Sequence, residues 1–259
     1  MFELLFPFFL LVLFFLVLSI IWRINARKYI SSSTVASAYD AWTQDKLLER
    51  LWGEHIHLGF YPPNEKNIDF RKAKEKFVHE LVSWSGMDKL PRGSRILDVG
   101  CGIGGSSRIL AKYYGFNVTG ITISKEQVKR ARELTPSECK CNFRVMDALD
   151  LRFEDGTFDG VWSVEAGAHM NDKTKFADEI LRTLRPGGYL ALADWNSRNL
   201  KTKSPTFIEK IVLKQLLEQW VHPCFISIDD FSNILAKNKN SAGKVLFENW
   251  NIYTNPSWY

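Results

Sequence analysis

Two groups of residues in this 259-residue chain have the types and spacing for chemistry. The first is Arg95-Ile96-Leu97-Asp98-Val99-Gly100-Cys101-Gly102-Ile103-Gly104-Gly105. A short apolar run breaks into a turn where four of six residues are glycine, and a helical pattern follows from Ser106 to Tyr114. Glycine lets backbone pass close to a ligand with no Cβ in the way. The N–H groups at a helix start favour a polar or anionic group. The stretch therefore reads as a nucleotide-type loop between the first strand and first helix of an α/β domain. The second group is Glu165 and His169, four residues apart after a strand pattern from Asp159 to Val164. A carboxylate and an imidazole at a strand end can serve as general acid or base. Their plain alternatives are a carboxylate that orients a loop or a ligand amine, and a helix-start histidine facing water.

Two cofactor classes compete for the loop. Gly100, Gly102 and Gly105 satisfy G-x-G-x-x-G, the weak dinucleotide signature. That signature expects an acid about 20 residues on, at the end of the next strand. The chain there reads Gly120-Ile121-Thr122-Ile123-Ser124, with no acid. An acid stands instead at Asp98, two residues before the first glycine. D-x-G-x-G-x-G resembles the first motif of the S-adenosylmethionine (SAM) methyltransferases, and that resemblance favours SAM over a dinucleotide. It implies that Gly100, Cys101, Gly102 and Gly104 lie along the cofactor, and that Asp98 holds the loop or accepts from the cofactor amine. Thr122 and Ser124 stand where an acid usually takes the ribose, with Gln127 one helical turn on, though Ser124 also reads as a helix cap. Asp147 and Ala148 flank the adenine by the same resemblance; a turn after the third strand is the plain alternative for Asp147.

These residues need strands and helices to place them. Strands are expected over Ile96 to Val99, Asn117 to Ile123, Asn142 to Met146, Asp159 to Val164, Tyr189 to Asp194 and Lys244 to Thr254. Helical patterns separate them. Asp69 to Ser85 carries the stripe Phe70, Ala73, Phe77, Leu81 and Trp84, with His79 off it and solvated. Asp172 to Arg185, Thr206 to Trp220 and a short helix capped by Ser227 follow. Strand–helix alternation predicts a doubly wound, mostly parallel sheet of the α/β class with helices on both faces. Ligands bind outside the carboxyl ends of such strands, where every polar group named above falls.

The amino-terminal third is different. Leu4 to Trp22 is uncharged and apolar, and Arg23, Arg27 and Lys28 follow. Nineteen helical residues span roughly 28 Å, close to a bilayer's hydrocarbon thickness. The expectation is a membrane anchor over residues 1–22 with the rest of the chain on the cytoplasmic side; a signal peptide fits less well, because the only early charge is Glu3. Thr34 is expected to cap a helix bearing Val35, Ala38, Tyr39 and Trp42. Leu51 to Tyr61 mixes aromatics, His55, His57 and two glycines without periodicity and reads as a lid or pocket wall, with a plain linker as the alternative. Residues 23–68 thus form a basic flank and lid, and 69–259 the catalytic domain. The net charge of +5 does not argue for nucleic acid. Four cysteines suggest neither a disulfide framework nor a metal site, and no metal is expected.

The wider pattern resembles the class I SAM-dependent methyltransferases, and within them the cyanobacterial methyl-prenyl-benzoquinone branch. The resemblance rests on Trp52-Gly53-Glu54-His55-Ile56-His57-Leu58-Gly59, on Asp98 to Gly105, on Gly120 to Ser124, on Trp162 to Gly167, and on Ala193-Asp194-Trp195-Asn196. The γ-tocopherol methyltransferases look similar over the same span. The resemblance implies methylation of a prenylated quinol held in the bilayer of a plasma or thylakoid membrane. His169 and Glu165 would then be catalytic. Trp52, His55, His57 and His222 would meet the quinol, or simply pack the lid. It also implies a seventh, antiparallel strand, for which nothing remains after Tyr259; the expectation is a fragment, which a native product ending at Tyr259 would overturn. An NAD-dependent oxidoreductase and a non-catalytic SAM-binding or membrane-scaffold protein are the readings from other classes.

Overall fold

The computed structural model describes residues 7, 10–18, 28–62, 68–200 and 204–238. Five strands make one parallel sheet: β1 (Arg95–Val99), β2 (Asn117–Thr122), β3 (Cys141–Val145), β4 (Phe158–Val164) and β5 (Leu184–Ala193), in the order β3-β2-β1-β4-β5. The helices are α1 (Ser32–Gln44), α2 (Leu47–Trp52), α3 (Phe70–Ser85), α4 (Gly105–Tyr114), α5 (Lys125–Leu134), α6 (Lys173–Thr183), α7 (Phe207–Trp220) and α8 (Ile228–Lys237). The expected sixth strand, Lys244 to Thr254, lies outside the described residues.

Alternation along β1 builds the two faces. Ile96 packs with Phe77, Leu81 and Leu110 from α3 and α4. Leu97 and Val99 point the other way, to Phe176 and Ile180 of α6 and Phe231 of α8. Strands covered on both faces read as near-continuous apolar runs, as these do. The sheet order reverses beside β1, between β2 and β4, which opens the crevice where such sheets bind ligands.

Local signals set most helix ends. Asp69, Ser124, Asp172, Thr206 and Ser227 each accept a backbone N–H of the following turn. The cap of α1 is Ser31 rather than Thr34; Thr34 lies three residues in and its hydroxyl accepts from the Ser31 N–H. The expected turn at Arg185 to Gly188 exists as a bulge inside β5. Pairing steps from Phe158–Leu184 to Gly160–Tyr189, so four residues loop out where β4 has one. His79 is half-buried, not solvated, because the Tyr114 hydroxyl and the Tyr113 ring enclose it.

The stripe of α3 also differs from expectation at two places. Phe70 is exposed and lies beneath the Arg71 and Lys74 cations. Lys74 is buried; its ammonium donates to the Trp52 and His55 carbonyls, both at 2.8 Å. The Phe60 N–H donates to the Ala73 carbonyl at 2.8 Å. Residues 53–61 are therefore strapped to α3 without forming a regular element themselves, which is why they show no periodicity.

The segment expected to cross a membrane lies partly outside the described residues. Residues 10–18 are helical with exposed side chains. Among the described residues no helix is long and apolar enough to cross a membrane.

Phe77 is buried at the sheet–helix contact and its ring lies 5.3 Å from that of His57. Phe77→Ala should cost about 3–5 kcal/mol by leaving a cavity. Urea unfolding should show a lower midpoint with an unchanged slope; an unchanged midpoint would mean that α3 does not seal the sheet.

Candidate active site

A cleft with about 1080 Å³ of open volume lies over the carboxyl ends of β1, β2, β3 and β4. Its walls come from α1, residues 54–57, the glycine loop, and the segments after β2, β3 and β4.

The glycines of the loop do different work. Gly100 (φ +75°) needs left-handed backbone, and a Cβ there would collide with the Ala166 methyl. A Cβ on Gly102 (φ +55°) would meet nothing within 4 Å, so the bare backbone borders the open cleft. Gly104 caps α4 against the Phe143 ring and does not line the cleft. At Gly105 a Cβ would strike the Glu54 carbonyl and come within 2.9 Å of the His55 ring. This last glycine serves the lid. The Gly100 and Cys101 N–H groups both donate to the Ile121 carbonyl at 2.9 Å, which pins the loop to β2.

Asp98 is buried at the base of the cleft and accepts from the Ser107 hydroxyl at 2.5 Å. Burial pushes its carboxyl up to about 7 against that hydrogen bond. Thr122, Gln127, Asp147, Ala148 and Cys101 line the same cleft. The Thr122 hydroxyl donates to the Gln127 side chain at 2.7 Å. Asp147 closes the turn after β3 by accepting from the Leu149 N–H. Ser124 stands off the cleft: it caps α5 and donates to Asp40 of α1 at 2.6 Å. Trp162 is buried and lines the cleft, and its indole N–H has no partner among the described residues.

His169 and Glu165 sit together after β4. His169 Nε2 lies 2.9 Å from the Tyr39 hydroxyl, and its Nδ1 lies 3.5 Å from the Val221 carbonyl. The carbonyl can only accept, so Nδ1 carries the proton and Nε2 accepts from Tyr39. Burial, reinforced by Lys173, drives His169 down to about 4, and burial raises the Tyr39 phenol. His222 stacks on His169 at 4.3 Å but lies behind it, outside the cleft lining. Glu165 is held in left-handed backbone (φ +52°), and so is the β-branched Val221 (φ +58°). Such conformations cost of order 1–3 kcal/mol and persist where packing over-determines them. The Glu165 carboxylate accepts from the Leu58 N–H at 3.0 Å and from the Trp195 indole; burial nonetheless raises its pKa. Asp194 accepts from the Ala168 and Trp195 N–H groups, while Lys173 donates to the Gly167 carbonyl. This buried pair braces the turn that carries His169.

The lid histidines form one chain. His57 Nδ1 donates to the Leu58 carbonyl, so its Nε2 accepts from His55 Nδ1 at 3.1 Å. His55 Nε2 is left as an acceptor, on a ring that lines the cleft. Burial holds His55 down to about 3 and His57 to about 4, so both are neutral at pH 7. Trp52 does not line the cleft; it leans on Trp220 and lies below the Lys74 ammonium.

Three functional groups were not singled out from the sequence. Tyr39 read only as part of a helical stripe, Trp162 only as a strand residue in the run that carries the resemblance, and Lys74 drew no reading. Only Lys74 left a local trace, as a cation beside the buried stripe of α3.

The chain matches known proteins in the same terms. The methyltransferase-domain family matches residues 97–192. A 2-methyl-6-phytyl-1,4-hydroquinone methyltransferase of Synechocystis is 55% identical over 92% of this chain and 75% of its own length. A chloroplastic tocopherol O-methyltransferase of Arabidopsis thaliana is 36% identical over 82% of this chain and 64% of its own length. Among solved structures, a putative sarcosine dimethylglycine methyltransferase from Galdieria sulphuraria shares the fold, with a TM-score of 0.64 at 24% identity over 74% of this chain and 72% of that one. The glycine loop after β1, the acid before it and the extended likeness to the Synechocystis enzyme agree: this chain belongs to the class I SAM-dependent methyltransferases.

Proposed function

We propose that this enzyme transfers a methyl group from SAM to a ring carbon of a prenylated benzoquinol, as in plastoquinone and tocopherol biosynthesis. The observation that carries the reading is the Tyr39 hydroxyl bonded to a neutral His169 in the same cleft as the glycine loop. The Synechocystis relative, named for a phytyl hydroquinone, supports the substrate class.

The residues present fit SAM. Gly102 offers bare backbone to the cleft, Asp98 a carboxylate, and Trp162 an indole N–H without an acceptor among the described residues. Thr122, Gln127, Asp147 and Ala148 would hold the nucleoside end. When bound, SAM supplies an electrophilic methyl group for in-line transfer to the ring carbon. The protein's own contribution is to align the quinol and take its proton.

A phenolic hydroxyl titrates near 10 and His169 near 4. Full proton transfer before bond formation would cost about 8 kcal/mol at 1.36 kcal/mol per pKa unit. His169 therefore accepts the proton as the new C–C bond draws electrons from the ring and acidifies the hydroxyl. The proton passes to Tyr39 Oη while the Tyr39 proton moves to His169 Nε2; the methylated ring carbon then releases its own hydrogen as a proton to solvent and the relay returns the first proton to the ring oxygen, which restores the aromatic quinol. Glu165, bonded to Leu58, acts as a positioning residue that closes the lid. His55 Nε2 accepts from the second quinol hydroxyl. Residues 1–22 anchor the chain in a membrane, plasma or thylakoid, with the catalytic domain on the cytoplasmic side; a bilayer-resident substrate then needs no extraction.

Methyl transfer from labelled SAM in lipid vesicles tests the substrate. Label should enter reduced 2-methyl-6-phytyl-benzoquinol; label only in γ-tocopherol would move the chain to the tocopherol branch. Tyr39→Phe and His169→Asn should each lower kcat by about 10²–10⁴, and the double variant should be little worse than either, since the pair acts as a unit. Additive losses would separate their roles. The pH dependence follows from three shifted groups. His169 at about 4 adds no limb to kcat at saturating SAM between pH 6 and 8, and a limb there belongs to Asp194, which burial raises to about 7 in the turn that carries His169. Asp98 at about 7 gains charge over that range, so affinity for the cationic cofactor should rise with pH, and Asp98→Asn should abolish the rise. A limb near pH 6.5 in kcat that persists in Asp194→Asn would overturn the assignment of His169.

A further inference from the structure

The longest helix after the sheet has an apolar face turned to water. On α7, Phe207 is 78% and Ile208 72% exposed, and Ile211, Val212 and Leu216 are exposed as well. At 100° per residue these five fall within one half of the helix circumference, a half that Gln215 shares, with Lys214 at its border and Lys210 beyond it. An exposed phenylalanine and isoleucine on a helix that buries no residue of its own mark an interaction surface. Charge indicates what the surface meets. Residues 198–218 carry five cations, Arg198, Lys201, Lys203, Lys210 and Lys214, against the two acids Glu209 and Glu218. Glu209 is ion-paired with Arg198, and Glu218 lies 3.9 Å from Lys214.

The other end of α7 is built into the active site. Trp220 packs edge-on against Trp42 of α1 at 5.8 Å and Trp52 at 6.4 Å. Val221 is buried against Val35 and Ala38, and its carbonyl faces His169. His222 stacks on His169.

We propose that α7 lies in the plane of an anionic lipid surface, its apolar face in the acyl boundary and its lysines at the headgroups, so that the wall of the cleft carrying Val221 and His222 is held at the membrane. An amphipathic helix with a cationic border binds in this way through buried apolar area plus attraction to anionic lipid. The proposal rests on the quinol reading for its purpose, since a prenylated acceptor would then enter from the bilayer beside α7. It does not rest on the amino-terminal segment, which would bring the chain to a membrane without orienting it.

The test uses the full chain with a local reporter. Ile208→benzoyl-phenylalanine is irradiated with phosphatidylglycerol vesicles, without quinol or SAM, and adducts are identified by mass. The same probe at Glu138, exposed on another part of the molecule, is the control. Lipid adducts should form at position 208 and not at 138, and fall about tenfold or more with phosphatidylcholine or high salt. Adducts to a second copy of this chain, or equal lipid labelling at both positions, would overturn the proposal. A second measurement uses the triple variant Phe207→Ser, Ile208→Ser and Ile211→Ser. Its KM for the phytyl quinol in vesicles should rise about tenfold or more, while kcat and KM for a short-tailed, water-soluble quinol stay unchanged. Loss of both activities would mean that α7 is structural. Lipid adducts at 208 from an enzyme that methylates neither quinol would leave docking standing and remove the substrate reading.

Discussion

The active site depends on one close approach. Residues 52–58 rest directly on the first turn of α4, and they do so because Gly105 has no Cβ. The Glu54 carbonyl and the His55 ring occupy the space a side chain would take. Lys74 completes the seat from below by donating to two carbonyls of the same segment. A buried ammonium is tolerated because both bonds are made and Glu165 lies within its field. Burial lowers Lys74 only to about 8, so it keeps its charge at neutral pH. The histidine chain, the Glu165–Leu58 bond and the closure of the cleft all follow from this seat. Gly105, which also lines the cleft, thus supports the roof over the ligand.

Burial then sets the chemistry. Four histidines around the cleft are held well below their ordinary value, each chiefly by desolvation. They are neutral hydrogen-bonding groups; carbonyls that can only accept fix the tautomers of His57 and His169, and His57 in turn fixes that of His55. A positive imidazole near the electrophilic methyl of a sulfonium would oppose its approach. A neutral acceptor does not, and it still takes a proton once the ring hydroxyl has become acidic. Two of the three left-handed, non-glycine residues among those described, Glu165 and Val221, adjoin His169, one four residues before it in the chain and one across space. Backbone strain of this kind is affordable here because Asp194, Lys173 and the aromatic contacts of Trp195 and Trp220 hold the turn from outside.

The membrane reading joins the two ends of the molecule. Helix α1 supplies Tyr39 to His169, and α7 ends in the residues that back that histidine. Both lie outside the sheet, and they meet through Trp42 and Trp220. An aromatic seam of this sort couples whatever holds α7 to the wall of the cleft, while the sheet keeps the glycine loop fixed.

The sequence by itself determined most of what depends on near neighbours. Apolar runs and period-3.6 stripes placed five strands and the helices between them, and Ser124, Asp172, Thr206 and Ser227 marked helix starts within one residue, while Ser31 took the cap expected of Thr34. The glycines after Ile96–Val99 announced a ligand loop, because a backbone that must turn and leave room for a ligand admits few other residues. The pairing of Tyr39 with His169, 130 residues apart, was not legible. Nor were the burial of Lys74, the service of Gly105 to the lid, the capture of Ser124 by Asp40, or the bulge that absorbed Arg185 to Gly188. Each is a contact between segments that the chain brings together only on closing. A local pattern states which face of an element is apolar and where it ends; which polar group receives a given donor is decided when the elements pack and every buried group must find a partner.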